Sequence, residues 1–196
     1  MFKRYLLVNW QATKDLTDLD LVELSKNGNQ SAFMEIVKRH KSKVASTIYG
    51  MVGKCDEADD IGQEVFIRFY KSINNFRGES ALGTYLTRIA INLSLNEIAR
   101  QKRKRFFSFD KMLEDGSDLG YTDKTNTLNE NKEIIEKAVQ KMDAKYRAVL
   151  VLRLIDGYST EETAKILNIP LGTVLSRLAR AQSKLKEYLQ PYFSEL

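Results

Sequence analysis

One cysteine, one histidine and two prolines occur in 196 residues, and each scarcity removes a class of protein. Cys55 alone cannot build a disulfide framework. Cys55 with His40 cannot form a Cys/His zinc site or a Cys–His nucleophile couple of recognisable spacing, so both read as ordinary packing or surface residues. No phosphate loop, G-x-S-x-G elbow or dinucleotide fingerprint is present. No catalytic residue, metal or cofactor is therefore expected, and the chain does not read as an enzyme. Long alternations of Val, Ile and Thr are also missing. With Pro170 and Pro191 as the only prolines, the chain reads as all-α. The opening MFKRYLLVNW starts basic, but its apolar run is short and broken by Asn9. Neither a signal peptide nor a membrane span is expected, and the expected location is the cytoplasm. Met1 to Lys14 carries no motif; Tyr5, Leu6 and Trp10 are expected to pack against a bundle.

What is present is unevenly charged. The formal net charge is +5. Arg100, Lys102, Arg103, Lys104 and Arg105 form a basic block, whereas Asp110 to Glu130 is an acidic island. Basic balance with such an island suits a chain that touches both a nucleic acid and a protein.

Apolar periodicity predicts helices over Asp18–Lys26, Ala32–Tyr49 (stopped by Gly50), Glu57–Lys71 and Ala81 to about Lys104, the last opened by Ser80. Residues 1–105 thus form one helical domain. Residues 106–130 are polar and irregular and read as a flexible linker. Residues 131–196 form a second domain, with helices at Lys132–Lys141 and Lys145–Ile155 and then two short helices with a tight turn. Ser159 and Glu162 make a capping box, Asn168 to Pro170 interrupt, and Pro170 fits a first helical turn. On the last helix Leu171, Val174, Leu178, Ala181 and Leu185 share one face. Thr173, Ser176, Arg177, Arg180 and Lys184 lie opposite, as a recognition helix in a major groove requires. An ordinary amphipathic surface helix would show the same period.

Two further surfaces stand out. Between Glu57 and Lys71, Ile61, Val65 and Phe69 line a core face, while Asp60, Gln63, Glu64, Ile67 and Lys71 make an acidic stripe holding one isoleucine. Such a stripe is either a solvated face or a dock for a basic helix. Then SINNFRGES, rich in amides, leads to a helix bearing Arg88, Asn92, Asn96 and Arg100. Asn and Arg read base edges, and Phe76 and Tyr85 either stack on an unpaired base or pack in the core.

DEADDIGQEVFIRFYKSINNFRGES with LGTYLTRIAINLSLNEIAR resembles region 2 of bacterial sigma-70-type factors, and KYRAVLVLRLIDGYSTEETAKILNIPLGTVLSRLARAQSKL resembles their region 4. With only these two regions and a short linker, the chain resembles the extracytoplasmic-function (ECF) group. The resemblance implies that Asp60, Gln63 and Glu64, with Ile67, dock on the beta-prime clamp helices of core RNA polymerase, the beta subunit being a further contact. It implies that Asn74, Asn75, Phe76, Arg77 and Ser80 belong to a loop holding a base flipped from the −10 element. Arg88, Asn92, Asn96, Arg100 and Arg103 would approach the same element, and Leu171, Gly172, Thr173, Ser176, Arg177 and Arg180 the −35 element. Promoter DNA and an anti-sigma factor are the other implied partners. Tyr85, Asn96 and Leu175 depart from the family's usual Trp, Asp and Lys. The alternative is a one-component helix-turn-helix regulator that acts without recruiting polymerase.

Overall fold

The computed structural model describes residues 15–112 and 127–192, with side chains from 15 to 104 and from 131 to 192. The readings of Tyr5, Leu6 and Trp10 fall outside that range, as does most of the acidic island. Among the described residues every regular element is helical: α1 (Asp18–Lys26), α2 (Gln30–Val52), α3 (Asp56–Ser72), α4 (Leu82–Met112), α5 (Thr127–Lys141), α6 (Ala144–Leu150), α7 (Thr160–Leu167) and α8 (Leu171–Leu189). A 3-10 turn over Ile73–Asn75 follows α3, and a π-helical turn over Val151–Ile155 extends α6. No helix among these residues is long and apolar enough to cross a membrane.

Local chemistry explains most boundaries. Thr17 and Asp20 form a reciprocal capping box at the start of α1, as Ser159 and Glu162 do for α7. The acidic first turn of α3, with Asp56, Glu57 and Asp59, suits the positive end of that helix. Asn168 ends α7 in the left-handed region at φ 50°, and Pro170 caps α8 one residue before its first turn. Two expected boundaries differ. α2 runs through Gly50 and stops at Gly53, where φ is 87° and only glycine is comfortable. α4 continues to Met112 and α5 begins at Thr127, so helix occupies both ends of the stretch read as a linker. The helix expected over Lys145–Ile155 widens after Leu150, with the Asp156 amide donating to the Val151 carbonyl at 2.8 Å.

α1 to α4 enclose one core, with Leu21, Ile36, Ile48, Val65, Phe69 and Leu86 removed from solvent. His40 is inside this bundle's polar edge rather than on open surface: its Nε2 sits 2.9 Å from Asp18 Oδ2. A second core around α5, α6 and α8 holds Val139, Met142, Tyr146, Leu150 and Ala181.

Between them lies a third cluster that joins the halves. Met51 of α2 and Ile91 of α4 pack with Ala148, Val151, Leu152 and Ile166, all at most 3% exposed. Gly50 makes this approach possible, because a Cβ there would meet Val151 Cγ2 at 2.9 Å. Polar contacts flank the cluster. Arg147 Nη1 donates to the Met51 carbonyl at 2.5 Å, and Gln140 Nε2 to the Gly50 carbonyl at 3.1 Å. The Asp156 side chain, 1% exposed, pairs with Lys43 Nζ at 3.3 Å and accepts from Thr47 Oγ1 at 2.7 Å. The Thr87 and Tyr158 hydroxyls meet at 2.9 Å. The two halves are therefore packed against one another, and the middle of the stretch read as a linker, residues 113–126, lies outside the described residues.

Gly50→Leu is expected to part the halves while each keeps its helices. Small-angle scattering checks this: the radius of gyration should rise from about 16 Å, the value for a compact chain of this length, with helical circular dichroism unchanged. An unaltered radius would contradict the role given to Gly50. Burial raises the Asp156 carboxyl above its usual range, outweighing the opposing pull of Thr47 and Lys43. The docked form thus holds that proton more tightly than an open form would, so docking should strengthen as pH falls toward the ordinary carboxylate range. Asp156→Asn should flatten that dependence in the same scattering measurement.

Candidate nucleic-acid interface and docking stripe

α3 has two faces. Ile61, Val65 and Phe69 are buried against the first core, as their spacing requires. Asp60, Gln63 and Ile67 are exposed on the other face, and Glu64, half-buried, accepts from Arg68 Nε at 2.7 Å. Ile67 is 45% exposed and Tyr70, three residues on, 51%. Tyr70 leans edge-on against Phe33 with ring centroids 4.9 Å apart. The stripe is therefore an apolar pair bordered by carboxylates. Tyr70 was not among the candidates, although its spacing from Ile67 was available.

The loop after α3 is fixed from three sides. Gly78 takes φ 73°, and a Cβ there would press on Leu19 Cδ2 at 3.1 Å. Lys26 Nζ donates to the Phe76 carbonyl at 3.0 Å. Phe76 itself is 4% exposed, packed edge-on against Phe69 and Tyr85 with centroids 6.1 and 5.1 Å away. Its ring is core and cannot stack on a base; it anchors the loop instead. Tyr85, half-buried, bears the Arg88 guanidinium 5.8 Å from its ring centre. Asn74, Asn75 and Arg77 are exposed and Ser80 half-exposed. Together Asn75, Phe76, Arg77, Glu79, Ser80, Tyr85 and Arg88 line an open, mostly polar cleft of about 320 Å³. A flat, hydrogen-bonding group can sit there, with Tyr85 as the aromatic wall.

α4 carries Arg88, Asn92 and Asn96, all exposed, along one stripe that begins at this cleft. Each step of four residues overshoots a helical turn by roughly 40°. By Arg100 the stripe has rotated about 120° away. Arg100 accordingly binds Glu97 through two hydrogen bonds of 2.7 and 2.9 Å and shares a hollow with Glu57, Asp60 and Glu64. Its guanidinium is raised in pKa and that of Glu97 lowered by this pairing. The structure thus groups Arg100 with the acidic stripe rather than with Asn92 and Asn96. Arg103, one turn later, is exposed and donates to the Ala99 carbonyl.

At the far end, α7 and α8 form the expected two-helix unit. Val174 and Ala181 are buried and Leu178 and Leu185 half-buried. Leu171 is 42% exposed, so it leaves the packed face and joins the open N-terminal turn of α8. Gly172, Ser176 and Arg180 are exposed there, with Thr173 and Arg177 half-exposed. Ser176 Oγ donates back to the Thr173 carbonyl at 3.1 Å. Arg180 also reaches Tyr146, whose phenol is held below its ordinary pKa chiefly by that hydrogen bond. Short polar side chains and guanidinium groups at a helix N-terminus fit a phosphate-bordered groove.

Known proteins match this layout along most of the chain. The family model Sigma-70 region 2 matches residues 36–104, and Sigma-70, region 4 matches residues 132–185. The "ECF RNA polymerase sigma-E factor" of Escherichia coli is 35% identical over 187 residues, covering 91% of this chain and 97% of that protein. The "RNA polymerase sigma-H factor" of Pseudomonas aeruginosa is 32% identical, covering 91% and 96%. Two solved structures share the fold at 24% identity: the sigma factor RpoE of Bartonella quintana with the anti-sigma factor NepR, at TM-score 0.62 over 81% of this chain and 96% of that one, and CnrH with the cytosolic domain of CnrY, at 0.65 over 89% and 97%.

The buried position of Phe76 has a measurable consequence. Phe76→Ala should cost about 3–5 kcal/mol of stability, as truncating a buried aromatic does, whereas the exposed Asn75→Ala should change it by less than about 0.5 kcal/mol. Thermal unfolding separates the two. Wild-type stability in Phe76→Ala would contradict the packing described.

Proposed function

The chain belongs to the sigma-70 family of RNA polymerase sigma factors, in its extracytoplasmic-function group, and on that premise we propose how its surfaces divide the work of initiation. The domains are residues 1–105, region 2, and 131–196, region 4, with 106–130 between them. The acidic stripe of Asp60, Gln63 and Glu64, with Ile67 and Tyr70 beside it, docks on a basic helical surface of core polymerase, which the family resemblance identifies as the beta-prime clamp helices. The cleft between the 74–80 loop and α4 holds a base extruded from the −10 element, contacted by Asn75, Arg77, Ser80 and Arg88 and walled by Tyr85. Trapping that base offsets the few kcal/mol lost in unstacking it and so favours the open duplex. Arg88, Asn92 and Asn96 approach the same element, and Arg103 contacts backbone phosphate. Arg100 orients through Glu97 beside the docking stripe.

Leu171, Gly172, Thr173, Ser176, Arg177 and Arg180 enter the major groove at the −35 element. The polymerase performs the chemistry and this chain supplies specificity, acting in the cytoplasm and not as an enzyme. An anti-sigma factor is a further proposed partner, since the similar sigma factor RpoE was solved in complex with the anti-sigma factor NepR. The observation that carries this reading is the cleft of about 320 Å³ with base-reading side chains on the stripe that leaves it.

Geometry adds a step. The described residues pack into a body roughly 40 Å across, whereas elements named −10 and −35 lie about 25 base pairs, or ~85 Å, apart on B-DNA. One docked body cannot cover both, so the halves separate when the promoter is engaged. Residues 113–126 reach about 50 Å when extended, which is sufficient once the radii of the halves are added.

Run-off transcription with core polymerase tests the reading: added protein should produce discrete starts. Asp60→Lys with Glu64→Lys should abolish them and abolish co-purification with the core. Arg177→Ala should leave core binding intact and weaken −35 protection by about 5- to 150-fold, the worth of a base contact. Normal assembly by the double variant would overturn the docking assignment, and an unchanged footprint would remove Arg177 from the interface.

A further inference from the structure

The open face of α8 is not uniformly polar. Leu171 is 42% and Leu175 51% exposed, and Ala179, four residues further on, is exposed too. These three form one row at a spacing of four, and Gly172, Ser176 and Arg180 form the row beside it. Val174, Leu178, Ala181 and Leu185 already supply the face that packs on the body, so the two exposed leucines are not needed there. Gly172 keeps the ground between the rows open. A Cβ there would meet nothing within 4 Å among the described residues beyond its chain neighbours and its own helix backbone. A flat edge can therefore come close to both leucines. No surface assigned above uses Leu175, which stands where the family resemblance has a lysine.

Adjacent leucines left in water gain by being covered. The charge around them identifies the covering surface. From Leu171 to Lys186 the chain carries Arg177, Arg180, Lys184 and Lys186 and no Asp or Glu, which suits a polyanion. In the major groove of a duplex the apolar group on offer is the C5-methyl of thymine, and apolar side chains contact it. A lysine at position 175 would offer a charge to phosphate; leucine offers only apolar surface, which a phosphate does not reward and a methyl group does. We propose that Leu175, with Leu171 one turn before it, packs on the C5-methyl of a thymine in the −35 duplex and makes this chain select a T·A pair there. Ser176 and Arg180, in the neighbouring row, fix the register through phosphate or base-edge hydrogen bonds. The inference rests on the reading of α8 as the −35 reader and adds to it the base that is selected.

Deoxyuridine differs from thymidine only in lacking that methyl, and it keeps the same pairing. On a promoter located by run-off transcription, each thymine of the −35 element is replaced singly by uracil, on either strand. Binding of core polymerase carrying this chain is then titrated, with footprinting on the same complexes. One replacement should weaken binding about four-fold, the worth of one buried methyl-sized group. Leu175→Ala, at an exposed position, should bind the thymine and uracil duplexes alike and keep core binding. Leu175→Met, which keeps an apolar chain of similar length, should preserve the difference. A −35 footprint with no replacement that weakens binding would overturn the proposal and leave the −35 assignment standing. The proposal also fails if the methyl effect persists in Leu175→Ala, which gives the contact to another residue, or if that variant loses core binding, which makes the leucine a protein contact. A wild-type complex without any −35 footprint would remove the assignment of α8 and this inference with it.

Discussion

A buried guanidinium holds the arrangement together. Arg147 is 6% exposed, and its nitrogens donate to the carbonyls of Met51, Gln140 and Met142 and to the Gln140 side chain. Those carbonyls end α2 in one half and α5 in the other, where a cation opposes the negative ends of both helices. Burial lowers the pKa of the group, yet arginine keeps its charge under any ordinary condition, so the contact is permanent as long as the halves touch. A lysine could not serve, since its three donors cannot meet four acceptors that the planar fork reaches through two nitrogens. Around this hub the apolar seam, the Gly50–Val151 approach and the Asp156 pair fall into place.

The seam decides what the two proposed DNA-reading surfaces can do. With α7 packed on α4, the helix bearing Asn92 and Asn96 and the two-helix unit bearing Arg177 share one body, and both are open to solvent. Each can meet DNA separately, but they cannot span a promoter together until the seam opens. Opening exposes Met51, Ile91, Val151, Leu152 and Ile166 to water, a cost that polymerase contacts must exceed. The seam therefore sets a threshold for engagement, through ordinary burial of apolar area.

Much of this was legible from local sequence. The Ser159–Glu162 capping box, the Ile61–Val65–Phe69 face and the α8 face from Val174 to Leu185 depend on residues a few positions apart, and the structure holds them as their spacing implies, with Leu171 alone leaving that face. Gly50 was misread because a glycine within a helix looks like a stop, and its real task involves Val151, far along the chain. Arg147 carries no local signal of its role, since its acceptors come from two separate segments, Met51 at the end of α2 and Gln140 and Met142 at the end of α5. Phe76 sat in an amide-rich loop whose composition suggested contact with a base, but its neighbours Phe69 and Tyr85 enclose it. The displacement of Arg100 could have been found from the helical period alone, by following the drift over twelve residues.

The central claim is that one seam holds the readers together in the free chain and yields on the promoter. Fluorescence energy transfer between labels at the exposed positions Glu79 and Gln182, in a Cys55→Ser background, measures it directly. The account predicts a single separation within the roughly 40 Å of a compact body in the free chain, lengthening markedly in an active complex with core polymerase and promoter DNA. A long separation in the free chain, or a short one kept throughout an active complex, would contradict it.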